Sequence, residues 1–404
     1  MHRLRARCAA MTAALAAALA GFLLIPAAAA HPWVAQALAT PTTGWSQFGF
    51  TAARTGDNPF ENILSPGNVA GLRQKWRFLA ADRVESSPAV ADGVVYFTDV
   101  NSHLYAVKAA TGARLWSFGF ANAFFASPAV AGGIVYTGSV NGRLYALNAA
   151  TGAKLWSFAT PGQVFSEPAV AGGTVYLESD FGLGGAVYAL NAATGKKLWS
   201  FATPGRPQSS VAVANGVVYA VTSDNNGLRG SAYALSAATG TPLWHSSSPG
   251  PLYTPTFANG ILYVGIDNGT ATKARVEALK GSNGSLLWRS AVILVDQSWP
   301  AVAGGLVYLG EAGGDVDAFN ATTGALVWQF PTPSGAGVEA PPVVANGIVY
   351  LAAEDGTLFA LNATTGHKLA SLTIGAATIA AAPVANGTVY IGAFDQRLHA
   401  YALP

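Results

Sequence analysis

The chain has 404 residues, 51% of them hydrophobic and only 10% charged, against about 25% charged in an ordinary soluble domain. Despite a mean hydropathy of +0.33, no apolar run after residue 30 approaches the roughly 20 residues of a membrane-spanning helix, so helical spans are not expected. Too many large apolar residues are present for a disordered chain, and 46 Gly with 22 Pro suit short strands joined by tight turns.

The N-terminus carries Arg3, Arg5 and Arg7, then an apolar stretch over 9–25 and the small residues Ala28, Ala29 and Ala30 before His31. This layout predicts a secretory signal peptide over 1–30, cleaved near Ala30, and hence a secreted or periplasmic protein. Cys8 precedes the apolar stretch, so it does not fit the acylated cysteine of a lipoprotein signal. Cleavage removes three of the 22 Lys and Arg and none of the 20 Asp and Glu, leaving 19 − 20 = −1. No basic block remains to neutralise a phosphate backbone, so nucleic acid is not an expected partner. The only cysteine leaves too, which takes with it any disulfide, thiolate metal site or Cys-x-x-Cys-His haem attachment.

Residues 31–71 read as an N-terminal lead-in, and 72–404 as one repeat domain. The strand-like stretch LRQKWRF (72–78) comes first. A hairpin landmark then recurs as PAVADGVVY (88–96), PAVAGGIVY (128–136), PAVAGGTVY (168–176), VAVANGVVY (211–219), PTFANGILY (255–263), PAVAGGLVY (300–308), PVVANGIVY (342–350) and APVANGTVY (382–390). Its second turn glycine falls at 93, 133, 173, 216, 260, 305, 347 and 387, a period of 40–45 residues, which marks a repeat architecture.

Each unit resolves into four strands. A short first strand enters a two-residue Asn-Gly, Asp-Gly or Gly-Gly turn that supplies positive φ. The second carries Val-Tyr, the third alternates as in RLYAL (143–147), and the fourth follows a Thr-Gly turn as in KLWSF (154–158). The fold class expected is all-β: an eight-bladed β-propeller of four antiparallel strands per blade, essentially without helix. The last unit ends at its third strand, LHAYA (398–402), so strand 72–78 is expected to complete blade 8 and remove two open sheet edges.

The third-to-fourth-strand junctions read AVKAATGARLW (106–116), ALNAATGAKLW (146–156), ALNAATGKKLW (189–199), ALSAATGTPLW (234–244), ALKGSNGSLLW (278–288) and AFNATTGALVW (318–328); the seventh ends in Ala370 where Trp is expected. This pattern resembles the tryptophan-docking repeat of the pyrroloquinoline-quinone (PQQ) propeller superfamily. That superfamily includes eight-bladed quinoprotein dehydrogenases and the non-enzymatic outer-membrane assembly lipoprotein BamB. The resemblance covers about residues 45–403, and Trp45-Ser46-Gln47-Phe48-Gly49 looks like the opening segment of the family. Trp76, Trp116, Trp156, Trp199, Trp244, Trp288 and Trp328 are the expected docking residues. Each buried indole is worth about 4–6 kcal/mol as an upper figure. Ala370 is expected to leave the weakest contact.

Turns between second and third strands share one face with the links between blades, at the mouth of the central channel. Their polar column reads Asp99, Asn141, Asp180, Asp224 with Asn225, Asp267 with Asn268, Glu311, Asp355 and Asp395; such residues shape tight turns. Blades 3 and 4 have the longest turns, SDFGLGG (179–185) and NNGLRG (225–230). Both are similar to the Glu-x-Gly-Val-Arg-Gly turn by which quinoprotein dehydrogenases supply a carboxylate to the calcium beside PQQ. The resemblance implies Asp180 as a candidate metal ligand, with Asn225, Arg229 and Trp299 as candidate cofactor contacts. The family's Gly-Asn-Pro second ligand, Trp-Asp base segment and vicinal cysteines are missing.

The blade links carry Phe124, Phe125, Phe165, Tyr253 and Trp299, with Glu85, Glu167, Gln208, Gln297 and Glu339 nearby. Exposed, such a ring forms a protein-binding or sugar-stacking patch; buried, it plugs the channel. Glu277, Asp317 and His399 break the tyrosine column of the third strands. The carboxylates are expected to face solvent unless they hold a cation, and the mature histidines are expected at the surface. Two functions stay open: a non-catalytic scaffold, monomeric, binding a protein, small-molecule or carbohydrate ligand at the channel mouth; or a PQQ- and calcium-dependent dehydrogenase of alcohols or sugars. A third, BamB-like assembly, is disfavoured by the Cys8 position.

Overall fold

Val, Tyr and Leu alternate with turn residues in every unit, and the positive-φ turns fold each unit back on itself. The computed structural model describes residues 44–404 apart from 121–125, 183, 208, 225, 268–273 and 292–298. It holds eight antiparallel sheets of four strands in a ring, one of them with an added fifth strand. Blade 1 shows the unit: Ala89–Ala91, Val94–Thr98, His103–Lys108 and Arg114–Gly119 run antiparallel from the channel to the rim. The only helical turn among the described residues is the 3-10 turn Val69–Gly71.

Alternating strand direction sorts the connections. The inner hairpin turns and the third-to-fourth-strand turns lie at one end of the ring, here the turn face. The second-to-third-strand turns and the blade links lie at the other, the link face. The core is a series of apolar layers between neighbouring blades, such as Ala89, Tyr96 and Leu104 of blade 1 against Val130, Val135 and Leu147 of blade 2.

Ring closure follows the sequence expectation. Arg73–Leu79 pairs antiparallel with Arg397–Ala402, from Arg73 against Ala402 to Leu79 against Arg397, with a register shift between Gln74 and Trp76.

Each outer strand bulges just ahead of its Trp, which turns the indole onto the next blade. Every indole N–H then donates to a backbone carbonyl there: Trp76 to Ala109 at 2.9 Å, Trp116 to Ala149 at 2.9 Å and Trp156 to Ala192 at 3.1 Å. Trp199, Trp244, Trp288 and Trp328 repeat the bond to Ala237, Gly281, Ala321 and Ala363 at 2.8–3.0 Å. In blades 1–6 the second-strand tyrosine donates to the same carbonyl, as Tyr96 does to Ala149 at 3.2 Å.

The exception at Ala370 has a topological cause. Blade 8 takes its outer strand from the start of the chain, so it has no third-to-fourth-strand turn and no carbonyl at that place. The equivalent tyrosine, Tyr350, is buried with its hydroxyl unpartnered, and the 3-10 turn Val69–Gly71 packs on strand Lys368–Thr373 instead. An indole at 370 would have nothing to dock on.

Candidate functional site at the channel mouth

The inner strands present unpaired backbone N–H groups to the channel, and buried backbone donors must find acceptors. Residues 45–58 supply them in one circuit of the ring. Trp45 exchanges bonds with Val90 of blade 1 (2.6 and 2.8 Å), and the Ser46 carbonyl accepts from Val130 of blade 2 at 2.7 Å. The Gln47 side chain accepts from Val170 of blade 3 at 3.0 Å. The carbonyls of Ala52, Ala53, Thr55 and Gly56 accept from Val213, Phe257, Val302 and Val344 of blades 4–7 at 2.6–2.8 Å. Asp57 and Asn58 add a parallel strand to blade 7, and the Asn58 amide donates to Val384 of blade 8 at 2.8 Å. This strap therefore binds all eight blades. Gly56 passes so close to Ala301 that a Cβ there would stand 2.8 Å from the alanine methyl.

The strap carries one buried cation, Arg54, only 3% exposed. Its Nε donates to the Val211 carbonyl at 2.6 Å and its Nη2 to the Glu167 carbonyl at 2.7 Å, while Nη1 is buried without a partner. The guanidinium lies 5.2 Å from the Phe48 ring, which packs edge-on against Trp299 at 4.8 Å. Two buried acids of blade 3 face it electrostatically. Glu167 accepts from the Ser210 hydroxyl; both carboxyl oxygens of Glu178 are unpartnered.

Burial pushes the Arg54 pKa down to about 10, with Glu167 and then Glu178 opposing the fall. Burial raises Glu167 and pushes Glu178 well above the carboxylate range, against the pull of Arg54. The folded protein thus holds the Glu178 proton more tightly than the unfolded chain. Stability on this account is full below the unfolded carboxylate range and falls as pH rises toward the folded value, by at most about 1.4 kcal/mol per pH unit. Glu178→Gln is therefore expected to match the parent at about pH 4 and to melt progressively higher than it as pH rises above the unfolded carboxylate range. Thermal unfolding across that rise in pH checks this; a parallel pair of curves refutes it.

The three described candidates, Asp180, Arg229 and Trp299, do not converge. Trp299 lines the mouth with Phe48, Arg54, Thr254 and Thr256, around a partly open space of about 20 Å³, room for about one water molecule. Arg229 lines a separate rim groove with Asp224, Ser231 and Ser248. Asp180 lines neither: it is paired with Arg206 at 2.7 Å and accepts from the Gly182 N–H at 2.7 Å. Asn225, with Asn268, Phe124, Phe125, Gln208 and Gln297, lies outside the described residues. Among the described residues no three His, Cys, Asp or Glu side chains converge as metal ligands. As arranged, Asp180, Arg229 and Trp299 do not fit calcium with a tricyclic quinone at the mouth.

Three expectations are corrected. Glu277 and Asp317 do not face solvent: they are 3% and 2% exposed, Glu277 paired with Arg289 at 2.6 Å and Asp317 hydrogen-bonded to Glu311 and Gln329. In most interfaces a third-strand aromatic meets a ring of the preceding blade, as Tyr188 meets Phe158. Before blades 5 and 6 the preceding positions are Ser246 and Ser290, so polar groups occupy that layer. His399 is not at the surface either. It is 2% exposed, held between Asp395 at 3.2 Å and Gln74 at 3.1 Å.

Blades, docked indoles and the strand-swapped closure define a β-propeller of the PQQ-repeat class. The profile of the family described as outer membrane protein assembly factor BamB matches residues 70–122, 100–228, 181–252 and 228–403, and the chain belongs to that family. No curated protein sequence matches it. Among solved structures it is similar to quinohemoprotein alcohol dehydrogenase ADHIIG from Pseudomonas putida HK5, with TM-score 0.74 and 20% identity over 90% of this chain and 80% of that one. BamB from Moraxella catarrhalis gives 0.66 and 18% over 82% and 99%, and the computationally designed Ika8 protein 0.70 and 16% over 82% and 99%. Identities this low show the shared fold. No helix among the described residues is long and apolar enough to cross a membrane.

Proposed function

We propose that the chain is an exported, non-catalytic binding scaffold, its signal peptide spanning residues 1–30. The observation that carries this reading is the strap: the chain's own residues 45–58 fill the channel mouth where a cofactor would have to enter. Asp180, the one candidate metal ligand, spends its carboxylate on Arg206. Exposed Phe165 in the link into blade 3, with exposed Phe181 and Leu228 in the second-to-third-strand turns of blades 3 and 4, leaves apolar contacts on the link face, where a protein, small-molecule or carbohydrate ligand can dock.

The test is reconstitution with PQQ and Ca²⁺. The expected result is an unchanged quinone absorbance and no dye reduction across a panel of alcohols and sugars. Dye reduction that Asp180→Ala abolishes would overturn the scaffold reading in favour of a PQQ- and calcium-dependent dehydrogenase.

A further inference from the structure

The ring sorts charge between its two ends. Lys108, Lys154, Lys196, Lys197, Lys280 and Lys368 each lie within or directly beside a third-to-fourth-strand turn, so strand direction places all six at the turn face, and all are exposed. Arg73, Lys75 and Arg114 are exposed at the same end. Among the described residues none of these side chains has a carboxylate partner; the ion pairs made by lysine or arginine involve Arg83, Arg206, Arg289 and Arg397. Among the described residues the one exposed acid at that end is Asp92; Asp57 in the strap is half-buried, and Glu61 is buried and accepts from the N–H groups of Ile63, Leu64 and Gly387. Asp82, Asp224, Asp315, Glu354, Asp355 and Asp395 all sit in links, second-to-third-strand turns or the strand ends beside them.

Turn chemistry does not require these cations. Pro242 and Leu326 stand where blades 2, 3 and 7 carry Lys154, Lys197 and Lys368. The same face has an apolar centre. Phe60 and Ile63 are 41% and 49% exposed, Ile63 lying against Gly387 in the inner turn of blade 8. Further out, Leu115, Leu155, Leu198, Leu243 and Leu287 are exposed one residue ahead of the docked indoles.

A ring of like-charged side chains around an apolar centre, nearly free of acids, matches a surface that is uniformly anionic outside and apolar beneath. We propose that the turn face docks on an anionic lipid bilayer, its lysines on headgroup phosphates and Phe60 and Ile63 at the acyl boundary. This leaves the link face pointing away from the membrane. The inference is independent of the scaffold reading, which concerns the other face.

The experiment is co-sedimentation of the full chain with vesicles of phosphatidylglycerol and phosphatidylcholine, or of phosphatidylcholine alone. Binding is expected to the anionic vesicles only, and to vanish in about 1 M salt, where the Debye length is about 3 Å. Lys154→Glu, Lys196→Glu and Lys197→Glu together are expected to weaken it by about a hundredfold or more, while Arg143→Glu with Arg229→Glu on the link face leaves it unchanged. Any N-terminal leader is common to all these chains, so the difference reads the turn face. Equal binding to neutral vesicles, no binding at low salt, indifference to the lysine reversals, or a lysine-dependent affinity confined to an acidic protein would each overturn the proposal.

Discussion

Arg54→Ala is expected to cost about 3–5 kcal/mol of stability, the usual penalty for removing one partner from a buried charge cluster. The guanidinium satisfies the Val211 and Glu167 carbonyls, which belong to neighbouring blades, and among the described residues it is the cation set against Glu167 and Glu178. Its loss leaves two buried carbonyls and an uncompensated carboxylate, and frees the middle of the strap. The change should register as a fall in denaturation midpoint and as faster amide exchange at Val213, Phe257 and Val302, whose N–H groups the strap accepts. Arg54→Lys should recover little, because an ammonium lacks the planar fork that spans two carbonyls. A variant within about 1 kcal/mol of the parent would show that the strap is held by its backbone bonds alone.

The second large effect is expected at a docking turn. Gly324 has φ +72°, and a Cβ there would stand 2.4 Å from Cε3 of Trp288. Gly324→Ala thus combines a left-handed backbone, about 1–2 kcal/mol for a residue with a Cβ, with a clash against an indole fixed by its bond to Ala321. Forcing that ring aside adds about 1–3 kcal/mol. Gly93→Ala is the control: its φ is +75°, with nothing within 4 Å of the added carbon. The difference between the two variants in chemical denaturation isolates the indole contact. Equal losses would mean that backbone conformation, not indole packing, sets the cost.

Much of the fold was legible in the sequence because its causes are local. Turn residues with positive φ, alternation along strands and the Thr-Gly-x-x-x-Trp spacing repeat within each unit, so eight similar sheets follow from eight similar segments. The strand swap between 72–78 and 398–402 was legible as a missing strand at one end and a surplus at the other. Ala370 was legible as an exception, but its reason was not, since the absent acceptor lies in a turn that blade 8 does not have. Glu277, Asp317 and His399 were misread as surface groups because their burial depends on the blade in front. The alternation of a strand tells which side a residue faces, not what stands there.

The sequence by itself determined the wheel: blade count, strand order, docked indoles and closure, all encoded in short-range periodicity and turn chemistry. Only the tertiary structure decided what fills its centre. The strap has no repeating pattern to read, because most of its bonds run from inner-strand N–H groups to backbone carbonyls, which carry no side-chain signature. Arg54 meets Val211 across 157 positions of sequence, and Glu178 comes to face it only once blades 3 and 4 have closed around the strap. Contacts of that range are set by the geometry of the finished ring, and the charge balance of the channel mouth is set with them.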